Sequence, residues 1–447
     1  MQNWIVPNFG GGLVYRHMPA IPETAKADAA SEAKLNESNT LDGSEKLEKA
    51  DVIVAGSLAI DLSCDYAPLD GSTETATPVP QTSNPAIIQQ SLGGVGHNVA
   101  ISASRVGSSV LFCSVVGDDL SGRAALSTLG KEGLTTQGIQ TLSASSGTRT
   151  AQYIAVNDAN KNLVVAVADM GIMELPTDKL NFEQFWGPMI TRTKPQWVVL
   201  DANWSPVVLA KWMTLAKTHN IRVAFEPVST AKCRRVFSAL RQLQPTTRDS
   251  TVVPSNAISL AAPNQLELNT LYITAREIDL FDADAWFPII DAMGITPSTT
   301  SRERLTSLTS THLVDAGIPQ KSIHLLPFIP CIVTKLGATG ALLTQFLMPR
   351  DPRLTEPESA PYILSRGAPA SELVGGVYMR LFPAARTLEA GDVVSVNAAG
   401  DTLLGVLVSG LARGRRVEDV VAVAQEASLR TLISVGGVSE KLGGLLD

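Results

Sequence analysis

Short apolar runs rich in β-branched residues recur along this chain, and segments with helical apolar spacing separate them. Asp51-Val-Ile-Val-Ala-Gly-Ser57 opens the series as a buried strand that ends in a turn. Similar runs follow at Val110–Val116, Trp197–Asp201, Arg222–Glu226, Cys331–Thr334 and Val393–Val396. Helical spacing marks Val99–Val106, Arg123–Glu132, Pro206–His219 and Thr402–Arg413. Strands that alternate with helices predict a mostly parallel sheet covered by helices on both faces. In such sheets ligands sit beyond the carboxyl ends of the strands.

One stretch has a different texture. Thr150–Val156 alternates in part, 157–162 (NDANKN) is a turn cluster, and Leu163–Ala168 is apolar, which together predict a β-hairpin. A hairpin needs further strands to be stable, and Ile60–Tyr66 and Ala86–Leu92 are the partners expected. The result is a small projecting sheet with strands at about 60–66, 86–92, 148–156 and 163–169. The polar or Pro-rich segments Thr296–His324 and Met348–Arg386 read as loops or insertions. Residues 20–50 are rich in Ala, Glu, Lys, Ser, Asn and Thr and nearly devoid of aromatics. That composition cannot offset its own ordering entropy, so residues 1–50 are expected to form a flexible segment or linker before an ordered domain at 51–447.

Composition narrows the field. With 447 residues and 45% hydrophobic content there is ample material for a large core. A formal net charge of -7 argues against a nucleic-acid partner. Cys64, Cys113, Cys233 and Cys331 form no CxxC pair, and the five histidines show no metal-ligand spacing. No basic region followed by an apolar run opens the chain, and the longest apolar stretch, Val393–Ala412, contains Asn397 and Asp401. The expectation is a cytoplasmic protein with reduced thiols and no membrane span.

Four clusters can carry chemistry. Gly93-Gly94-Val95-Gly96-His97-Asn98 can bring the backbone close to a ligand, with Asn98 offering a donor and an acceptor; taken alone, a plain turn is the simpler reading. It is not a dinucleotide fingerprint, because the third glycine of that pattern falls on Val99. Asn397-Ala398-Ala399-Gly400-Asp401 precedes an apolar helix. Free amides there can face an anion, and Asp401 can act as a base or simply cap the helix. Asn264 and Glu267 share a helix face; they can serve hydrated Mg2+, though a solvated helix start is the simpler reading in isolation. Lys335, Gly337 and Gly340 close a strand in a form able to cradle a phosphate.

Taken together, these clusters resemble the PfkB (ribokinase-like) carbohydrate and nucleoside kinase family. Gly93, Gly94, Gly96, Asn98, Gly107 and Gly117 match its first signature, and Ala398-Ala399-Gly400-Asp401 its second. Asn264 and Glu267 match its N-x-x-E motif, and Lys335, Gly337 and Gly340 its nucleotide-binding strand end. The resemblance covers about Asp51 to Ser439. It implies a three-layer α/β/α sandwich with a mostly parallel central sheet and a projecting β-sheet lid. It also implies ATP and Mg2+ as cofactors and a small-molecule hydroxyl as acceptor. Carried over by residue, Asp61, Gly93, Gly94, Asn98, Thr150 and Asp169 bind substrate. Ala398, Ala399 and Gly400 form the anion hole, and Asp401 is the base. Asn264, Lys335, Gly337 and Gly340 serve the nucleotide, and Glu267 the metal.

Within the family the chain is similar to pseudouridine kinases, on the strength of 148–156 (TRTAQYIAV), Ala168-Asp169-Met170 and Glu226-Pro-Val-Ser-Thr-Ala-Lys232. That likeness implies a link to a pseudouridine-5′-phosphate glycosidase, to which such kinases are often fused, and a homodimer formed through the lid. There are three departures. Ser395 replaces the Asp of cation-binding members, so no cation activation is carried over. Ala59 replaces an Asn that contacts free ribose, and Glu226 replaces a shorter Asp. A catalytically silent binding subunit is the contrasting reading, although such a subunit needs none of Asp401, Asn264, Glu267 or Gly400.

Overall fold

The description below rests on a computed structural model and covers residues 49–68, 77–143, 147–243, 257–299, 301–368, 371–388, 392–434 and 436–447. These residues fall in the unit Leu47–Asp447. The expected linker lies outside them except for its last two residues.

The first strand, β1 (Val52–Ala55), shows how the layers arise. Val52 and Val54 pack into one core cluster, whereas Ile53 and Ala55 pack into the other. A strand buried on both faces reads as continuous apolar sequence, the pattern of a parallel sheet between helical layers. The elements that matter to the site follow in chain order. They are β2 (Ala59–Tyr66), β3 (Ala86–Gly93), α1 (Val95–Arg105), β4 (Val110–Gly117), α2 (Leu120–Lys131), β5 (Ile139–Leu142), β6 (Ala151–Asn157) and β7 (Leu163–Asp169). Next come β8 (Trp197–Asp201), α3 (Pro206–Thr218), β9 (Arg222–Glu226), β10 (Leu260–Ala261), α4 (Gln265–Glu277), β11 (Cys331–Lys335) and β12 (Ala341–Leu347). The last are β13 (Ile363–Arg366), β14 (Gly376–Phe382), α5 (Ala399–Ala412) and α6 (Val417–Leu432).

Ten strands form the main sheet in the order β13-β14-β12-β11-β10-β9-β8-β1-β4-β5. Pairing is parallel from β11 through to β5 and antiparallel among β11, β12, β14 and β13. Helices α1, α5 and α6 cover the face that carries Val52 and Val54. Helices α3 and α4 cover the other face. This is the three-layer α/β/α sandwich expected.

The smaller sheet has the order β3-β2-β6-β7 and uses the strands expected for it. Its turn cluster closes as an Asx-type turn in which Asp158 accepts from the amides of Asn160 and Asn162, both at 2.8 Å. Register places Ile88, Cys64, Val156 and Val165 in one row across the sheet, with Leu62, Ile154 and Val167 beside them. One face is therefore largely apolar, with Gln90 opposite Leu62 as its polar exception. The other carries Asp61 and Ser91, which lie opposite each other.

Two expectations fail. Val393–Val396 is not a strand. Its β-branched residues have the propensity, but the amides of Val394 and Ser395 donate to the carbonyl of Leu432 at the end of α6, and Val396 is 73% exposed. The segments 296–324 and 348–386 are more than loops. The first holds helices Arg302–Leu308 and Thr311–Asp315 and most of Ile318–Leu325, and the second contributes β13 and β14 to the main sheet. Flanking Pro, Gly and charged residues mask the strand signal there, although β14 is paired along its whole length with β12.

Candidate active site at the carboxyl ends of the strands

Three buried strands end in a charged side chain: β8 in Asp201, β9 in Glu226 and β11 in Lys335. The starts of α1, α4 and α5 bring the sequence clusters to these residues, so the site is built where a parallel sheet favours it.

The Gly-rich cluster docks on the corner after β1. The Oγ of Ser57 accepts from the amide of Val95 at 3.0 Å, and its carbonyl accepts from the amide of His97 at 3.0 Å. Asp201 holds the corner by accepting from the amide and the hydroxyl of Ser57 at 2.7 and 2.9 Å. Gly94 has φ +97°, and a Cβ there would meet the carbonyl oxygen of Ser57 at 2.6 Å. A Cβ on Gly93 would lie 2.0 Å from Oδ2 of Asp61. These glycines are needed both for the turn and for the close approach of Asp61. Burial pushes Asp61 up to about 6, against the pull of His97. His97 in turn bonds Glu132 at 2.7 Å.

Asp401 does not cap its helix. The capping position is Ala398, in the left-handed region at φ 62°, and no side chain caps the helix there. Instead Oδ2 of Asp401 accepts from Nδ2 of Asn98 at 2.9 Å, tying the two glycine-containing motifs together. Burial raises Asp401 to about 6, opposed by that hydrogen bond and by Lys335. The first amides of α5 have no acceptor within the helix, so the Asp401 carboxylate and a helix end with free amides sit side by side.

Lys335 donates to both carboxylate oxygens of Glu226 at 2.9 Å. Burial works to lower the ammonium, but Glu226, Glu267 and Asp401 outweigh it and hold Lys335 above its ordinary value. Burial, with Asp401 and Glu267 adding to it, pushes Glu226 up. Asn264 and Glu267 form a capping box: Asn264 Oδ1 accepts from the amide of Glu267 at 2.9 Å, and Glu267 Oε2 accepts from the amide of Asn264 at 2.8 Å. Glu267 is 4% exposed, so its carboxylate is not part of a solvated face. The amide of Lys335 donates to the carbonyl of Pro263 at 2.7 Å, which stitches the motif to β11. Gly340, at φ +105°, is a turn glycine whose Cβ would strike the carbonyl oxygen of Phe382 at 2.0 Å, whereas Gly337 faces open space.

Thr150 and Asp169 lie at the smaller sheet. The buried hydroxyl of Thr150 donates to Asp119 at 2.7 Å and accepts from the amide of Gly117 at 2.9 Å, fastening the root of β6 to the end of β4. Asp169 is exposed and pairs with Arg149 at 2.8 Å. Sequence reasoning passed over Ser57 and Asp201 as site residues and used Glu226 only as a departure and as part of the likeness at 226–232. The available signal was a charged residue closing an otherwise apolar strand.

Residues 49–248 match the family described as pfkB family carbohydrate kinase. The chain is 28% identical to the pseudouridine-metabolizing bifunctional protein of Schizosaccharomyces pombe, over 94% of this chain and 50% of that protein. It thus spans about half the length of that relative. It is 29% identical to the pseudouridine kinase of Escherichia coli, over 54% of this chain and 67% of that enzyme. Among solved structures, ribokinase from Cryptococcus neoformans in complex with ADP aligns at TM-score 0.55 and 17% identity, covering 88% of this chain and 96% of that one. Arabidopsis thaliana ribokinase complexed with ribose and ATP aligns at TM-score 0.52 and 14% identity, covering 88% and 97%. At such identities the structural likeness speaks for the ribokinase-like fold alone. Over residues 49–248 the chain is thus similar to the pfkB family of carbohydrate kinases, and its fold is ribokinase-like.

Proposed function

We propose that this chain is an ATP-dependent kinase that phosphorylates the 5′-hydroxyl of a nucleoside, converting pseudouridine and ATP to pseudouridine 5′-phosphate and ADP. The observation that carries the reading is Asp401, half-buried at the start of α5 and held by Asn98 beside amides that have no helical acceptor. The substrate oxygen gives its proton to Asp401 and bonds the γ-phosphorus. ADP departs with the electron pair of the broken phosphorus–oxygen bond. Ala398, Ala399 and Gly400 provide the anion hole, which stabilises charge by position. Asp61, Gly93, Gly94 and Asn98 line the sugar site beneath the smaller sheet, which serves as the lid. Thr150 holds the root of that lid, and Asp169 lies at its far strand.

Lys335, Gly337, Gly340 and Asn264 serve the nucleotide. The residues suit a hydrated Mg2+ carried in with the phosphates. Among the described residues no group of three or more His, Cys, Asp or Glu forms a cage, and Oε1 of Glu267 accepts no hydrogen bond. Mg2+ keeps several waters and takes one or two carboxylates; when bound, it neutralises phosphate charge. The pseudouridine assignment draws on the names of the two relatives above and on the likeness at 148–156 and 226–232. The kinase domain in this reading is 51–447, preceded by a linker at 1–50, with a functional link to a pseudouridine-5′-phosphate glycosidase. The four cysteines form no disulfide and no helix among the described residues is long and apolar enough to cross a membrane, which supports a cytoplasmic enzyme.

ADP release with Mg-ATP, measured against pseudouridine, uridine, adenosine, ribose and fructose, tests the proposal. The expected result is a strong preference for pseudouridine. Turnover of another acceptor keeps the kinase and removes the pseudouridine assignment; silence of folded protein across the panel favours a non-catalytic binding subunit.

A further inference from the structure

Four ionisable groups meet at the start of α5: one ammonium, Lys335, and the carboxylates of Glu226, Glu267 and Asp401, each of which acts on it electrostatically. Which carboxylate takes the ammonium decides whether Asp401 can work as a base. An ammonium paired directly with Asp401 occupies a lone pair and stabilises the charged form, which weakens it as a proton acceptor. That pairing is absent. Both oxygens of Glu226 hold Nζ at 2.9 Å, and Asp401 is left to the neutral donor Asn98.

The sheet explains how Glu226 reaches Lys335. Strand β10 is only two residues long and lies between β9 and β11, with Phe225 level with Ala261 and Ala261 level with Ile332. Lys335 therefore stands two residues beyond the position level with Glu226, on the same face of the sheet, and its long stem bends back. The stem runs along Gly400: a Cβ there would lie 3.1 Å from Nζ and 3.5 Å from Cδ of Lys335. Gly400 thus makes room for the ammonium at the same helix end that offers free amides. Lys335 and Glu226 are 14% and 3% exposed in their side chains, so the pair acts in a medium where charge is poorly screened.

We propose that Glu226 is a positioning residue for phosphoryl transfer, pinning the Lys335 ammonium against Gly400, where it faces the transferring phosphoryl group and is withheld from Asp401. This rests on the kinase reading given above. Glutamate at this position, one methylene longer than aspartate, is the length that reaches the ammonium with both oxygens.

The test compares Glu226→Gln, Glu226→Asp, Lys335→Met and the double variant E226Q/K335M, with Asp401→Asn run in parallel. For each, kcat and both KM values are measured and folding is checked by thermal melting. The expected result is a fall in kcat of about tenfold or more for E226Q, with KM for the nucleoside nearly unchanged, as for an interaction used in the transition state. E226D falls between wild type and E226Q. In the K335M background, E226Q costs less than about twofold more, because residues acting as one unit are not additive. The double variant removes both members of the pair together, so neither is left facing the other's absence. If E226Q does not fold, E226D decides: a severalfold loss of kcat supports the inference, and full activity overturns it. Unchanged kcat in E226Q, or effects that multiply independently with K335M, also overturns it. Loss of turnover in D401N with wild-type kinetics in E226Q would sink only the role of Glu226; full turnover in D401N removes the base assignment, and a folded wild type without turnover removes the underlying kinase reading.

Discussion

At the scale of single residues, burial does the chemical tuning. Asp401 and Asp61 are both raised to about 6, each mainly because it is removed from water. In the proposed roles, Asp401 must be ionised to accept a proton, and Asp61 accepts from sugar hydroxyls best when ionised. The acid limb of kcat/KM is therefore expected near pH 6, with activity rising with pH and levelling above it. Two groups titrating together make that limb steeper than one proton per pH unit. Asp61→Asn is expected to reduce the slope to one; a wild-type limb near pH 4 would contradict both assignments. The raised value has a structural cost. Ionising Asp401 in the fold rather than in water forfeits roughly 3 kcal/mol above pH 6, and this loss disappears as pH falls below the ordinary aspartate range. A buried carboxylate that lowers stability in this way is more readily understood as a functional group than as packing.

At the scale of elements, the two sheets divide the labour. The main sheet and the helices on it hold Asp401, Lys335 and Glu226 on rigid strand and helix ends. The smaller sheet offers a polar face with Asp61 and an apolar face with Leu62, Cys64, Ile88, Ile154, Val156, Val165 and Val167. Ile88 and Val167 are 65% and 57% exposed, and both edge strands are exposed along nearly their whole length. Exposed apolar faces of this kind mark interaction sites. We propose that a second copy of the chain would bury this face by symmetry, placing its own smaller sheet on it. Sedimentation is expected to give a dimer for the wild type and a monomer for a variant carrying Ile88→Glu and Val167→Glu. A monomeric wild type would rule the arrangement out.

Much of this was legible from the sequence, at the level where local pattern and burial agree. The all-apolar runs of β1, β4 and β8 predicted strands buried on both faces, and the turn cluster at 157–162 located the hairpin. Legibility ended where a residue's partner was distant. Val393–Val396 has strand propensity but no strand beside it, and its amides go to Leu432 instead. Strand β14 is hidden among prolines and glycines and is defined only by its pairing with β12. In the site, Asp401 and Asn98 were found separately, but their contact spans 303 positions and no local pattern reports it. The ends of β8 and β9 were missed for the same reason, since Asp201 and Glu226 acquire meaning only from Ser57 and Lys335.

At the scale of the whole molecule, one residue joins the parts. Asp401 links α5 to α1 through Asn98, α1 docks on the β1 corner through Ser57, and the lid springs from that corner. The central claim is that this carboxylate takes the proton of the acceptor hydroxyl while Mg-ATP gives up its γ-phosphoryl group. The most direct test is the single-turnover rate of Asp401→Asn against wild type, with pseudouridine and Mg-ATP, in protein shown by thermal melting to be folded. The expected result is a loss of about 10²-fold to 10⁴-fold, the usual range for a general base. A folded D401N enzyme that turns over at the wild-type rate would contradict the account.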